Sequence, residues 1–395
     1  MTNKKFKLAA MSLATAVAVS TVGPSASAVT YYLGDGSVTV DKDDNGAFSY
    51  QGEDGSRTYV NEDKADNGVI YVKDGNSPTE EVTDNSDNGT EVPTPTDNTT
   101  QSTDASGNNA ENSTTTETAP GNTITVMEDV KKTEKADGTE GNDVKIVVDG
   151  VNVDTSTSTD TPAEVPADAD TKEDKTIIKV GEGADVDLTV KDSNLTTGGN
   201  GIDIGVNLKD DDDNKKTNVD LTLDNTKINL TENATAGINA RDNSDVDITL
   251  KGDNTIDGSE AIDKVTEGGG HDISKDNVNI EGIRVGGEGA SDSSDASEGA
   301  NTKLTISGGV EKTETAETDT EETESPAGGS LTISDTTGGL VMADGSDVEI
   351  TDGADVTIEK TETSGSTQAG RGVTQHGDLT ISGGSSLTID GVEDN

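Results

Sequence analysis

Acidic side chains recur at one position of a short repeated phrase, and this recurrence is the strongest chemical signal in the chain. The phrase reads Val186-Asp187-Leu188-Thr189-Val190, Val219-Asp220-Leu221-Thr222-Leu223, Val246-Asp247-Ile248-Thr249-Leu250 and Val348-Glu349-Ile350-Thr351. Because Asp187, Asp220, Asp247 and Glu349 alternate with aliphatic residues, they belong on the outer face of strands whose other face is buried. If the phrases stack, their carboxylates form a column spaced by about 5 Å. Like charges in register cost energy unless salt or a bridging ion relieves them. Calcium, which takes about six to eight oxygen ligands, is the ion suited to such a column. A solvated acidic face is the simpler reading of the same residues.

A second calcium candidate is Asp41-Lys42-Asp43-Asp44-Asn45-Gly46, which matches the first half of the Asp-x-Asp-x-Asn-Gly loop. Asp41, Asp43 and Asn45 would be its ligands. Where that loop closes on Glu, this chain has Gly52, and Glu53 lies one residue too far. An ordinary Asp/Asn/Gly hairpin turn accounts for the residues equally well.

Basic and nucleophilic chemistry is sparse. Arg241, Arg284 and Arg371 each lie near a recurring Gly-apolar pair, where a guanidinium could meet a sugar carboxylate. Their offsets from that glycine differ, so the sequence does not place them in one site. His271 and His376 sit beside glycines. With 79 acids, no carboxylate pair for glycoside hydrolysis can be singled out. No serine elbow, zinc spacing or phosphate loop is present. The expectation is a protein that is not an enzyme. Asn194 and Asn254 fall at corners after strands and read as structural, since Asn tolerates left-handed backbone and bonds along a ladder.

The elements that must position these residues are short strands. Each phrase is followed closely by a second apolar-alternating run: Asn194-Leu195, Ile228-Asn229-Leu230, Asn254-Thr255-Ile256, Val356-Thr357-Ile358 or Leu387-Thr388-Ile389. A third piece, the Gly-apolar pair, comes next as Gly201-Ile202, Gly237-Ile238, Gly282-Ile283, Gly339-Leu340 and Gly372-Val373. Three strands per repeat, with corners between, predict an all-β parallel β-helix, a solenoid whose coils stack about 4.8 Å apart. Polar stretches at Lys209 to Lys216, Val265 to Lys275, Gly286 to Asn301 and Glu311 to Gly328 then read as acidic insertions at the corners. Only 28% of residues are hydrophobic and 2% aromatic, too few for an ordinary globular core but enough for a narrow aliphatic column.

The chain divides into four parts. Residues 1–28 carry Lys4, Lys5 and Lys7, an apolar run and an Ala26-Ser27-Ala28 site, the make-up of a cleaved signal peptide. Residues 29–73 hold every aromatic residue of the mature chain and read as a small β segment, free-standing or docked on the solenoid. Their tyrosines form its core or stack a sugar. Residues 74–120, rich in Thr, Asn, Asp and Pro, read as a disordered linker, and the solenoid is expected over 121–395. No cysteine is present, so an exported chain must draw stability from packing, ions or assembly. A formal charge of -51 opposes nucleic acid and anionic lipid as partners. No membrane span is expected in the mature chain, which is placed outside the cell, secreted or surface-associated.

The run Leu250-Lys251-Gly252-Asp253-Asn254-Thr255-Ile256 and the Leu-Thr-Ile-Ser-Gly-Gly phrases at Leu304 and Leu379 resemble repeats of secreted bacterial surface proteins. The family is the right-handed parallel β-helix carbohydrate-binding and adhesin-like proteins of Firmicutes, and the resemblance covers about residues 122 to 395. It implies binding of an acidic, pectin-type polysaccharide or a host or cell-wall glycan, in some members through calcium. A polysaccharide lyase on the same fold and a stalk without a ligand are the alternatives. The long acidic insertions and the aromatic N-terminal piece depart from the family's pattern.

Overall fold

The computed structural model describes residues 29–42, 48–51, 57–59, 69–75, 119–128, 130, 145–156, 175–208, 215–231, 233–261, 280–287, 301–309, 328–359 and 371–391. The signal-peptide expectation, Asp43, Asn45 and His271 lie outside these residues, as does most of the expected linker.

The alternating phrases form strands because their β-branched and leucine side chains pack on one pleated face while polar residues face water. These strands build three parallel sheets, so the fold is a parallel β-helix. Sheet I contains nine strands, including Val69–Lys73, Lys145–Asp149, Asp185–Lys191, Thr217–Asp224, Ser244–Lys251, Lys303–Gly308, Asp347–Thr351 and Asp378–Ile381. Sheet II receives the second strand of each coil, such as Asn194–Thr197, Lys227–Leu230 and Ser330–Ser334. Sheet III receives the Gly-apolar element, as Ile202–Val206, Ala236–Ala240, Glu281–Val285, Gly338–Met342 and Arg371–Gln375.

Register is strict. Val186, Val219, Val246, Leu304, Val348 and Leu379 stack in one interior column of sheet I, and Leu188, Leu221, Ile248, Ile306, Ile350 and Ile381 in the next. Except in the last coil, these side chains are buried, which makes one continuous dry column along the molecule. A one-residue slip anywhere would turn that column into water, so the alternation itself pins the register.

The corners explain the small residues. Between sheets I and II, left-handed backbone recurs at Asp192 (φ 47), Asn225 (φ 52), Gly252 (φ 60) and Asp352 (φ 53), the residue types that adopt it most readily. Where the chain enters sheet III, the Gly-apolar glycines form a ladder. A Cβ on Gly237 would lie 2.5 Å from Ile256 Cγ2 and 2.8 Å from the Gly282 carbonyl oxygen, and one on Gly282 2.3 Å from Ile333 Cγ2 and 2.6 Å from the Gly339 oxygen. Steric closure, rather than backbone conformation, demands glycine there.

The aromatic N-terminal segment supplies the first coils of the solenoid. Val29–Tyr32 and Val69–Lys73 join sheet I, while Val38–Lys42 joins sheet III and continues into an antiparallel hairpin with Phe48–Gln51, itself paired with Arg57–Tyr59. Asp41 therefore lies in a strand at a hairpin. Ala119–Pro120, at the end of the expected linker, pairs with sheet II.

Candidate functional site

The outer face of sheet I carries four columns of side chains, set by the register alone. One runs from Val69 through Lys145, Asp187, Asp220, Asp247, Thr305, Glu349 and Thr380. The acids expected to stack do stack, but Thr305 separates Asp247 from Glu349. Two adjacent acid pairs remain, Asp187 with Asp220 and Asp220 with Asp247. At about 5 Å in a water-like dielectric, each costs about 1 kcal/mol.

The outermost column differs. It reads Lys73, Asp149, Lys191, Asp224 and Lys251, alternating in sign at every coil. Lys73 Nζ lies 3.4 Å from Asp149. On the opposite flank, Asp185, Asn218, Asp245, Lys303, Asp347 and Asp378 are in register, and Lys216 Nζ reaches Asp245 at 2.9 Å. Opposite charges therefore alternate along one column, while in another of the same sheet Asp187, Asp220 and Asp247 follow one another. Acidic composition by itself would treat both columns alike, so the Asp187–Asp247 run is a local feature.

Between the acid column and the alternating one runs a hydroxyl column: Thr189, Thr222, Thr249, Ser307 and Thr351. Its N-terminal continuation is Val147 and then the half-buried Tyr71. Acids and hydroxyls together line a shallow groove of about 470 Å³ across four coils, formed by Asp220, Thr222, Asp247, Thr249, Lys303, Thr305, Ser307, Glu349 and Asp352. Thr249 and Ser307 hydroxyls are 3.5 Å apart, and Ser382 Oγ donates to Glu349 at 3.3 Å. Thr305 Oγ1 is buried here with no hydrogen-bond partner among the described residues. No aromatic or aliphatic side chain lines the groove, so it offers hydrogen bonds and charge rather than an apolar surface.

The fit to calcium is limited on the protein side. Among the described residues, no three carboxylate, histidine or cysteine side chains converge as a metal-holding group. Asp187, Asp220, Asp247 and Glu349 are spread along the column, and an ion on this face would need oxygens from elsewhere to complete its shell.

The three arginines lie in or next to sheet III and occupy three different columns. Arg241 forms a fork on Asp203, with Nε donating to Oδ1 at 2.9 Å and Nη2 to Oδ2 at 2.8 Å. Asp203 is buried and also accepts from Asn200 and Asn239 at 2.9 Å each. Arg284 is buried and doubly bonded to Glu281, at 2.5 and 2.8 Å. Arg371 is exposed, in register with Gly338. Two of the three guanidinium groups are thus bound by carboxylates of this chain. Asp203 and Glu281, their acceptors, had no signal distinguishing them among 79 acids.

Both corner asparagines have internal partners. Asn194 Nδ2 donates to Asn152 at 2.9 Å and its Oδ1 accepts from Asn229 at 2.7 Å, a ladder across three coils. Asn254 is buried, accepting from Thr226 N–H at 2.9 Å and donating to the Lys251 and Ser330 carbonyls at 3.1 Å. His376 lies 3.9 Å from Asp344, both half-exposed, away from the groove.

No family model matches this chain, and no curated protein or solved structure does so either. No helix among the described residues is long and apolar enough to cross a membrane.

Proposed function

We propose that this chain is an exported, non-catalytic surface protein of adhesin-like character that binds polysaccharide along the outer face of sheet I. The observation that carries the reading is the groove in which a hydroxyl column runs beside a column of acids and Thr305 over four coils, with Lys303 at its edge. A ligand rich in hydroxyls suits that lining, and a polymer of sugar rings suits a surface that repeats at every coil. Tyr71, on the same column further along, adds a ring face on which a sugar can stack. An acidic polysaccharide would be held through calcium shared between its carboxylates and Asp220, Asp247 or Glu349, with the polymer providing the oxygens this face lacks. Export rests on the leader composition of residues 1–28.

The lyase alternative needs a free basic residue beside the sugar; Arg241 and Arg284 are engaged by Asp203 and Glu281, which weighs against them in that role, whereas Lys303 lines the groove. A binding screen against immobilised polygalacturonate and neutral glycans, with calcium or with chelator, tests the reading. Calcium-dependent retention that falls at least tenfold in Asp247→Asn/Glu349→Gln is expected. Absence of binding to every glycan would leave a spacer, and release of unsaturated uronides would make the protein a lyase.

A further inference from the structure

The groove on sheet I is broken by one strand of different character. Three of its strands, Thr217–Asp224, Ser244–Lys251 and Asp347–Thr351, present an acid to it, as Asp220, Asp247 and Glu349. The strand Lys303–Gly308, which pairs between the last two, presents Lys303, Thr305 and Ser307 instead. An outer face without an acid, carrying one ammonium group, thus lies between two acidic strands, each about 5 Å away.

Lysines that face carboxylates in this molecule commonly bind them. Lys73, Lys191, Lys216 and Lys227 do so at 3.4, 3.5, 2.9 and 3.4 Å. Lys303 is exposed, and its side chain has no ion pair or hydrogen bond among the described residues. Of its two register neighbours, Asp245 is held by Lys216 and the other is Asp347. Lys145 and Lys251 on the same sheet also lack a carboxylate partner, but neither lines the groove. Two residues along from Lys303, the Thr305 hydroxyl is the one left without a hydrogen bond.

We propose that Lys303 receives a carboxylate of the bound polymer directly, with no ion between them. This rests on the polysaccharide reading of the groove and narrows the ligand to polymers that carry free carboxylates. Where such a polymer passes Asp247 or Glu349, like charges meet and calcium is needed to join them. Over the strand between, the protein supplies the positive charge itself, and Thr305 offers a hydroxyl donor to the same group. A cation on one strand and not on its neighbours also fixes where along the face a carboxylate comes to rest. A methyl-esterified or neutral glycan gains nothing from it.

Calorimetric titration of the full chain with polygalacturonate in calcium tests this. Lys303→Gln should bind about fivefold more weakly or worse, as loss of a charge-assisted contact in a part-exposed site implies. Lys303→Arg should stay near the parent. Lys251→Gln removes the same charge from the same sheet outside the groove and should bind as the parent does. Equal binding by Lys303→Gln and the parent overturns the assignment and leaves the polysaccharide reading standing. Equal weakening in Lys303→Gln and Lys251→Gln overturns it too, since net charge would then be the cause. Release of unsaturated uronides that stops in Lys303→Gln would make the residue a base rather than an anchor. A parent that binds no glycan removes the reading and the inference together.

Discussion

Asn254 shows how a polar residue comes to occupy the interior of so narrow a core. Its register partner in the next coil is Leu331, an apolar member of the sheet II column. Asn254 instead accepts from the Thr226 N–H and donates to the Ser330 carbonyl and to the Lys251 carbonyl, which also accepts from the Asn225 N–H at 3.2 Å. Asn254→Ala removes all three bonds and is expected to cost about 1–3 kcal/mol, chiefly because the buried Thr226 N–H would lose its acceptor. A lowered urea midpoint with unchanged native dichroism is the measurable outcome. Arg241 and Arg284 teach the converse at this scale. An arginine near a recurrent motif looked available for a ligand, yet register places Asp203 one coil before Asn239 and brings it within reach of Arg241. For Arg241 spacing along the chain could not show this, because the acceptor belongs to the preceding coil, whereas Arg284 takes Glu281 from its own strand, three residues before it.

At the scale of the strand and its corner, the Gly-apolar pair is the clearest case of sequence and structure agreeing. The pair was legible as a third strand per coil; the reason for its glycine was not. Five glycines in a line, Gly201, Gly237, Gly282, Gly339 and Gly372, each leave room for an isoleucine of sheet II, and the first four also for the next glycine's carbonyl. Gly282→Ala would place a methyl group 2.3 Å from Ile333 Cγ2 and 2.6 Å from a backbone oxygen. Overpacking of this kind costs about 1–3 kcal/mol, and a fall in melting temperature without loss of β content is expected. The N-terminal aromatic segment belongs at this scale too. Val69–Lys73 pairs in full register with Lys145–Asp149 although a long polar stretch separates them. No local pattern reports a pairing across so many intervening residues, which is why the sequence left both a free-standing and a docked segment open.

Across the whole molecule, the balance lies between a thin aliphatic column and a shell of charge -51. The alternating column of Lys73, Asp149, Lys191, Asp224 and Lys251 offsets part of that repulsion. Lys191→Glu would turn it into a run of three like charges from Asp149 to Asp224, and pairs directly opposite in a sheet are worth about 0.2–1 kcal/mol each. The variant should melt earlier than the parent in low salt, and the gap should narrow as sodium chloride is added, because screening acts over about 10 Å at 0.1 M. A gap independent of salt would mean that Lys191 acts through packing of its stem.

The amino-acid order alone determined the fold class, the three strands of each coil and the inward set of Val, Ile and Leu, because alternation and stacking are local and repetitive. It also brought Asp187, Asp220 and Asp247 into line, since their phrases follow one another with short connections. Tertiary structure decided what the long insertions conceal: that Thr305 stands between Asp247 and Glu349, that acids beside lysines alternate in one column and not in another, and that Tyr71 shares a face with the threonines. Those outcomes depend on which residue of one coil meets which of the next. That registry is set by the dry interior as a whole and is invisible to any stretch of chain read by itself.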